Sequence, residues 1–254
     1  SGLAHFLEHM LFMGTVEYPK ENHYFEFINK NGGMSNAGTG FDMTQYYFNI
    51  LPNNFFEGLK IFSTFFTNPL LKNNSIQKEI NAVNSEHNKN INNDGRRLYR
   101  LFGEIINTDH PLKKFGTGNT ETLNIKNIRE KLINFYNCFY KPNNMSLVVL
   151  SNHSIEEIEE QILLNYSNVG KSLNSSENKC VEEKKKSFNQ PFNFQNDDIL
   201  VKINPIMDND TVMLIYQLDN KKEYYNFKPY EYLFYFFNNE SKGSLYYYLK
   251  DKNF

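Results

Sequence analysis

The sequence predicts an α+β protein in which helices pack on a mixed, largely antiparallel sheet. Three observations carry this reading. Segments with helical spacing of apolar residues are interleaved with short β-like runs. Two of those runs, Met34 to Thr39 and Thr44 to Leu51, are separated only by a Gly40-Phe41-Asp42 turn region, as in an antiparallel pair. With 254 residues, 40% hydrophobic and 16% aromatic, the chain can bury a substantial core in one or two domains. A mean hydropathy of −0.61 adds a heavy polar load, much of it Asn.

The elements follow in order. Leu3, Leu7, Met10 and Leu11 recur at helical spacing, and Gly14 stops this first helix before Tyr18-Pro19. A second helix is expected from Glu21 to about Lys30, where Gly32-Gly33 ends it ahead of the hairpin. Leu59, Phe62 and Phe66 stripe a helix from Asn54 to Thr67, closed by Asn68-Pro69. One long polar helix is expected from about Ser75 toward Ile106. Beyond a loop from Asp109 to Asn119, a helix over about Ile125 to Phe139 carries Ile128, Leu132 and Phe135, and Met145 to Leu150 reads as a buried strand. Ser154 and Glu157 have capping-box spacing and start a helix that reaches about Tyr166. The aperiodic stretch from Gly170 to Gln190 marks a linker or a surface segment. Two strands, Ile199 to Ile203 and Thr211 to Leu218, precede two helices whose aromatics, Tyr230 to Phe237 and Tyr246 to Tyr248, read as core residues.

Composition excludes several roles. The 27 Lys+Arg and 29 Asp+Glu leave a formal charge of −2, so no positive field draws the chain to nucleic acid. Lys184-Lys185-Lys186 follows two glutamates and reads as a solvated charge run. Apolar runs such as Met145 to Leu150 and Val212 to Tyr216 fall far short of the ~20 residues of a membrane helix. Cys138 and Cys180 lie in unlike contexts, which suits a reducing compartment and makes a cytoplasmic location the expectation. The chain opens directly into a helical pattern without an initiator Met, so it reads as a fragment lacking its true N-terminus, and organellar targeting stays open.

His5-Phe6-Leu7-Glu8-His9 stands above this background. On a helix, residues i and i+4 share a face, so His5 and His9 can converge on one ion, with Glu8 beside them. Two neutral imidazoles suit zinc, and a carboxylate next to the second ligand can take a proton from a metal-activated water. This is the inverted-zincin spacing H-x-x-E-H. Chance alone produces the pattern in a chain of this length on the order of one time in a hundred. A catalytic zinc site needs a third protein ligand, and Glu86, 77 residues after His9, is the best candidate. Glu79 lies two turns upstream on the same face, where it could support the site from outside the coordination sphere. Spacing alone leaves open that both are solvated helix carboxylates.

The residues around the motif extend the pattern. His5 to Thr15, Tyr18-Pro19-Lys20-Glu21-Asn22, Ser35-Asn36-Ala37, Tyr46-Tyr47-Phe48, Asn81 to Asn90 and Phe115-Gly116-Thr117-Gly118-Asn119 together resemble the insulinase/pitrilysin family of zinc metallopeptidases. The resemblance is dense to Asn119 and thinner to Phe254. It implies that His5, His9 and Glu86 bind one zinc ion per chain, that Glu8 is the general base, and that Glu79 is an outer carboxylate. It also implies that Ser35, Asn36, Ala37 and the adjoining Gly38 lie on a strand where a peptide substrate pairs by strand addition. Residues 1–185 are then a zinc-binding peptidase domain short of its N-terminal strands, and 186–254 begin a second, related domain. The second half of the enzyme, which contacts the substrate carbonyl, would be a separate partner or a missing segment. Family members usually carry an aromatic where this chain has Gly38, and Ala-Trp-Arg where it has Gly95-Arg96-Arg97, so side-chain preference cannot be carried over.

Two rival readings use the same residues. One is a catalytically silent peptide-binding or scaffold subunit, which the complete set of His5, Glu8, His9 and Glu86 opposes. The other is a mitochondrial processing peptidase, which shares His5 to Met10 but not the Tyr18 to Asn22 or Asn81 to Asn90 segments. A structural zinc site is disfavoured, because it would close with four protein ligands. His87 is turned ~100° from Glu86 around the helix, and His23, His110 and His153 lack a partner at metal spacing. Gly116-Thr117-Gly118 reads as a turn, since no Lys-Ser/Thr follows.

Overall fold

The computed structural model describes residues 2–106, 110–171, 173, 191–192, 199–208, 211–218 and 224–253. They fall into two units, Ser1–Asn209 and Asp210–Phe254. The linker expected at 170–190 lies almost wholly outside the described residues.

In the first unit α1 (Leu3–Leu11) buries Phe6, Leu7, Met10 and Leu11 completely, and α2 (His23–Lys30) buries Tyr24 and Ile28. Glu21 stays outside α2 because its carboxylate accepts from Ser75 Oγ at 2.6 Å and Lys78 Nζ at 2.8 Å. Strands β1 (Met34–Thr39) and β2 (Thr44–Asn49) pair antiparallel, with Ser35 opposite Phe48, Ala37 opposite Tyr46 and Thr39 opposite Thr44. Alternation turns Ser35, Ala37, Thr39, Tyr46 and Phe48 inward.

Helix α3 (Phe55–Ser63) is shorter than its apolar stripe, and Asn68-Pro69 does not set its end. The Ser63 hydroxyl donates to the Lys60 carbonyl at 2.7 Å and that of Thr64 to Ile61 at 2.6 Å, contacts that compete with the helical ladder. The single polar helix expected to Ile106 is two helices, α4 (Asn73–Ile91) and α5 (Asp94–Ile105). Asn93 breaks it by capping α5, its Oδ1 accepting from the Arg96 N–H at 3.0 Å. A one-turn α6 (Thr120–Leu123) precedes α7 (Ile128–Phe139), and the Ser154–Glu157 capping box opens α8 (Ile155–Tyr166).

Aromatic rings fill the centre. Tyr24 meets Phe65 at 4.8 Å between centroids, Phe12 meets Phe65 at 5.2 Å and Phe62 meets Phe66 at 5.2 Å. Each such pair contributes roughly 0.5–1.5 kcal/mol beyond its buried area.

Three expected strands are absent. Met145 to Leu150, Ile199 to Ile203 and the second unit's Thr211 to Leu218 form no ladder, because no strand among the described residues pairs with them. Val148 and Leu150 are 90% and 95% exposed rather than buried. In the second unit α9 (Pro229–Phe237) and α10 (Leu245–Asp251) form as expected, but apart from the half-buried Tyr230 their aromatics are exposed rather than core. Cys180 lies outside the described residues. No helix among the described residues is long and apolar enough to cross a membrane. The fold class is α+β, helix-rich around one small antiparallel sheet.

Leu132 on α7 is fully buried. Leu132→Ala should lower the unfolding free energy by about 2–5 kcal/mol in a urea titration. A loss below about 1 kcal/mol would place α7 outside the core.

Candidate metal centre

Burial of four apolar residues fixes the rotation of α1 and leaves His5 and His9 on its half-exposed side, against α4. Their rings meet edge-to-face with centroids 4.8 Å apart. His5 Nε2 lies 3.5 Å from Glu86 Oε2, and His9 Nε2 lies 3.7 Å from the same oxygen. One ligand atom from each of the three residues falls within 4.8 Å of the others. A tetrahedral site with bonds of about 2.0–2.1 Å has edges of about 3.3–3.4 Å, so the two histidine-to-glutamate spacings fit zinc closely.

The outer nitrogens decide the tautomers. His5 Nδ1 is 2.7 Å from the Thr117 carbonyl oxygen, which can only accept, so Nδ1 carries the proton. His9 Nδ1 donates to Glu79 Oε2 at 3.3 Å. Both Nε2 lone pairs are therefore aimed at the carboxylate of Glu86. Lone pairs facing an anionic oxygen repel unless a proton or a cation lies between them. Burial alone would lower the pKa of His9, but its hydrogen bond to Glu79 and the charges of Glu79, Glu8 and Glu86 raise it above the ordinary histidine value. The same negative field that favours a proton favours a divalent cation.

Glu8 and Glu79 are each only 7% exposed. Glu8 Oε2 accepts from Thr39 Oγ1 at 2.5 Å, and the Thr39 hydroxyl lies 3.1 Å from that of Thr44. The Tyr140 hydroxyl is 2.6 Å from that of Tyr46. Burial, reinforced by the charge of Glu8, pushes Tyr140 up to about 12.

On β1, the Ser35 hydroxyl donates to the Tyr47 carbonyl at 2.9 Å and lies 2.9 Å from the Tyr24 hydroxyl. Asn36 Oδ1 accepts from the Ala37 N–H, and nothing lies within 4 Å of where a Gly38 side chain would begin. Among the described residues β1 has β2 as its only strand neighbour. His87 does not join the cluster; its ring lies 5.2 Å from that of Phe115.

Sequence reasoning missed Thr39 and the Thr117 carbonyl. Thr39 was legible only as one member of a hairpin pair. The Gly-Thr-Gly turn left a trace in Gly118, which takes a left-handed φ of 82°.

An HxxEH helix joined by a glutamate from a second helix, on an α+β scaffold, defines the inverted-zincin class of metallopeptidase folds. The family model described as insulinase (peptidase family M16) matches residues 1–109, and the peptidase M16 inactive domain matches 127–253. The chain belongs to the insulinase (M16) family. It is 36% identical to human insulin-degrading enzyme over 258 residues, 99% of this chain and 24% of that protein. It is also 36% identical to the A-factor-processing enzyme of Saccharomyces cerevisiae over 255 residues, 98% of this chain and 24% of that one. The chain thus spans about a quarter of the length of these relatives. The crystal structure of pitrilysin superposes with a TM-score of 0.64 at 32% identity, covering 66% of this chain and 18% of pitrilysin.

Glu86→Gln keeps the size of the side chain but removes its charge. The variant should lose most of the zinc that the parent chain retains after dialysis, measured by metal analysis. Unchanged zinc content would remove Glu86 from the ligand set.

Proposed function

We propose that this chain is the zinc-binding, water-activating part of a metalloendopeptidase that hydrolyses short peptides. The observation that carries the reading is the convergence of two Nε2 lone pairs on the Glu86 carboxylate, with both outer nitrogens already satisfied. In this reading His5, His9 and Glu86 hold one zinc ion. Zinc, when bound, supplies a Lewis acid that polarises a carbonyl and lowers the pKa of water.

Glu8 accepts the proton of the attacking water and passes it to the leaving amine. Thr39 donates to one oxygen of Glu8 and so leaves the other free to take that proton. Glu79 holds the His9 ring in the tautomer that ligation needs. The open side of β1 from Ser35 to Gly38 takes the peptide as an added strand, which reads backbone rather than sequence. The names of the two relatives, one degrading insulin and one processing A-factor, agree with a peptide substrate. Donors for the developing oxyanion are assigned to the remainder of the full-length protein.

The test is Glu8→Gln in the full-length protein. An amide cannot accept the proton, so zinc content should match the parent while turnover of a fluorogenic peptide falls ~10²–10⁴-fold. Near-parental turnover would refute the role given to Glu8, and a zinc-free parent would refute the whole reading.

A further inference from the structure

The half of α4 that carries Glu86 has little apolar anchorage. The residues that α4 buries are Ser75, Ile76, Glu79, Ile80 and Val83, and the run stops one turn short of Glu86, whose side chain is 41% exposed. A carboxylate that must keep its place 3.5 and 3.7 Å from two imidazoles is therefore held by something other than the core.

The segment from Phe115 to Thr120 touches both sides of the site. Its Thr117 carbonyl receives the His5 Nδ1 proton at 2.7 Å. Its Gly118 packs main chain to main chain on Gly2 at the head of α1, so closely that a Cβ on Gly2 would lie 2.4 Å from the Gly118 Cα. Three residues after Thr117, the Thr120 N–H donates to Asn84 Oδ1 at 3.1 Å, two positions before Glu86. The Phe115 ring meets that of His87, one position after Glu86, at 5.2 Å. Phe115 also lies under the guanidinium of Arg100 on α5 at 5.8 Å. Asn119 stiffens the span by forming both bonds of the α6 capping box with Thr122.

We infer that residues 115–120 are a brace that fixes Glu86 against His5, with Asn84 and Phe115 as positioning residues for the zinc site. Its middle orients a histidine by a backbone carbonyl, and its two ends grip α4 on either side of the glutamate. The inference rests on the zinc reading above. Partners outside the ligand set typically change metal affinity 10–100-fold, because they decide whether the ligands meet the ion without rearrangement.

The experiment is chelator competition for zinc on this chain, alongside thermal unfolding of the metal-free protein. N84A should weaken zinc binding 10–100-fold while the metal-free unfolding midpoint stays near that of the parent. N84D keeps an acceptor for the Thr120 N–H and should recover most of the affinity. F115A leaves both hydrogen bonds in place, should weaken binding by a smaller factor, and decides the matter if N84A does not fold. Parental affinity in N84A, or in F115A should N84A not fold, with zinc bound by the parent and lost in E86Q, would overturn the brace and leave the zinc site standing. A parent chain that binds no zinc would overturn both.

Discussion

The spacing between α1 and α4 is the constraint on which the rest of the site depends. Two imidazoles come from adjacent turns of one helix and cost nothing in long-range order, since the helix itself sets their separation. The carboxylate comes from a helix 77 residues further on, and its distance to those imidazoles is set by every contact that holds the two helices together. The aromatic core positions the buried halves of both helices. The 115–120 segment governs the half that the core does not reach.

The same site concentrates negative charge where water is scarce. Glu8 and Glu79 are nearly buried, and among the described residues no lysine or arginine forms an ion pair with either. Their compensation comes from a threonine hydroxyl, a histidine N–H and the convergent ligand set. A divalent cation placed there would relieve repulsion among three carboxylates and two nitrogen lone pairs at once, and so would stabilise the folded arrangement.

What the sequence made legible was whatever is decided within one element. The first helix, the hairpin register region, the Ser154 capping box and the i, i+4 histidine pair all follow from local periodicity. So did the last two helices, as elements. The misses are of two physical kinds. Local side-chain competition broke helices that periodicity continued, through Asn93 in the polar stretch and the hydroxyls of Ser63 and Thr64 after α3. Strand character without a neighbour produced no strand, since an apolar run such as Met145 to Leu150 becomes sheet only when another chain segment offers its hydrogen bonds. Thr39 and Thr117 were illegible for a third reason: each acts through a contact with a residue more than 30 positions away.

The link between Thr39 and Glu8 gives the hairpin a role beyond display. Side chains on a strand alternate, so a slip of one residue between β1 and β2 would turn Thr39 outward and bring Gly38 to the inner face. Glycine has no hydroxyl, and Glu8 would be left buried with its donor gone. The pairing of Thr39 with Thr44 at the last rung of the ladder therefore acts as a vernier, converting the alignment of two short strands into the aim of a single carboxylate.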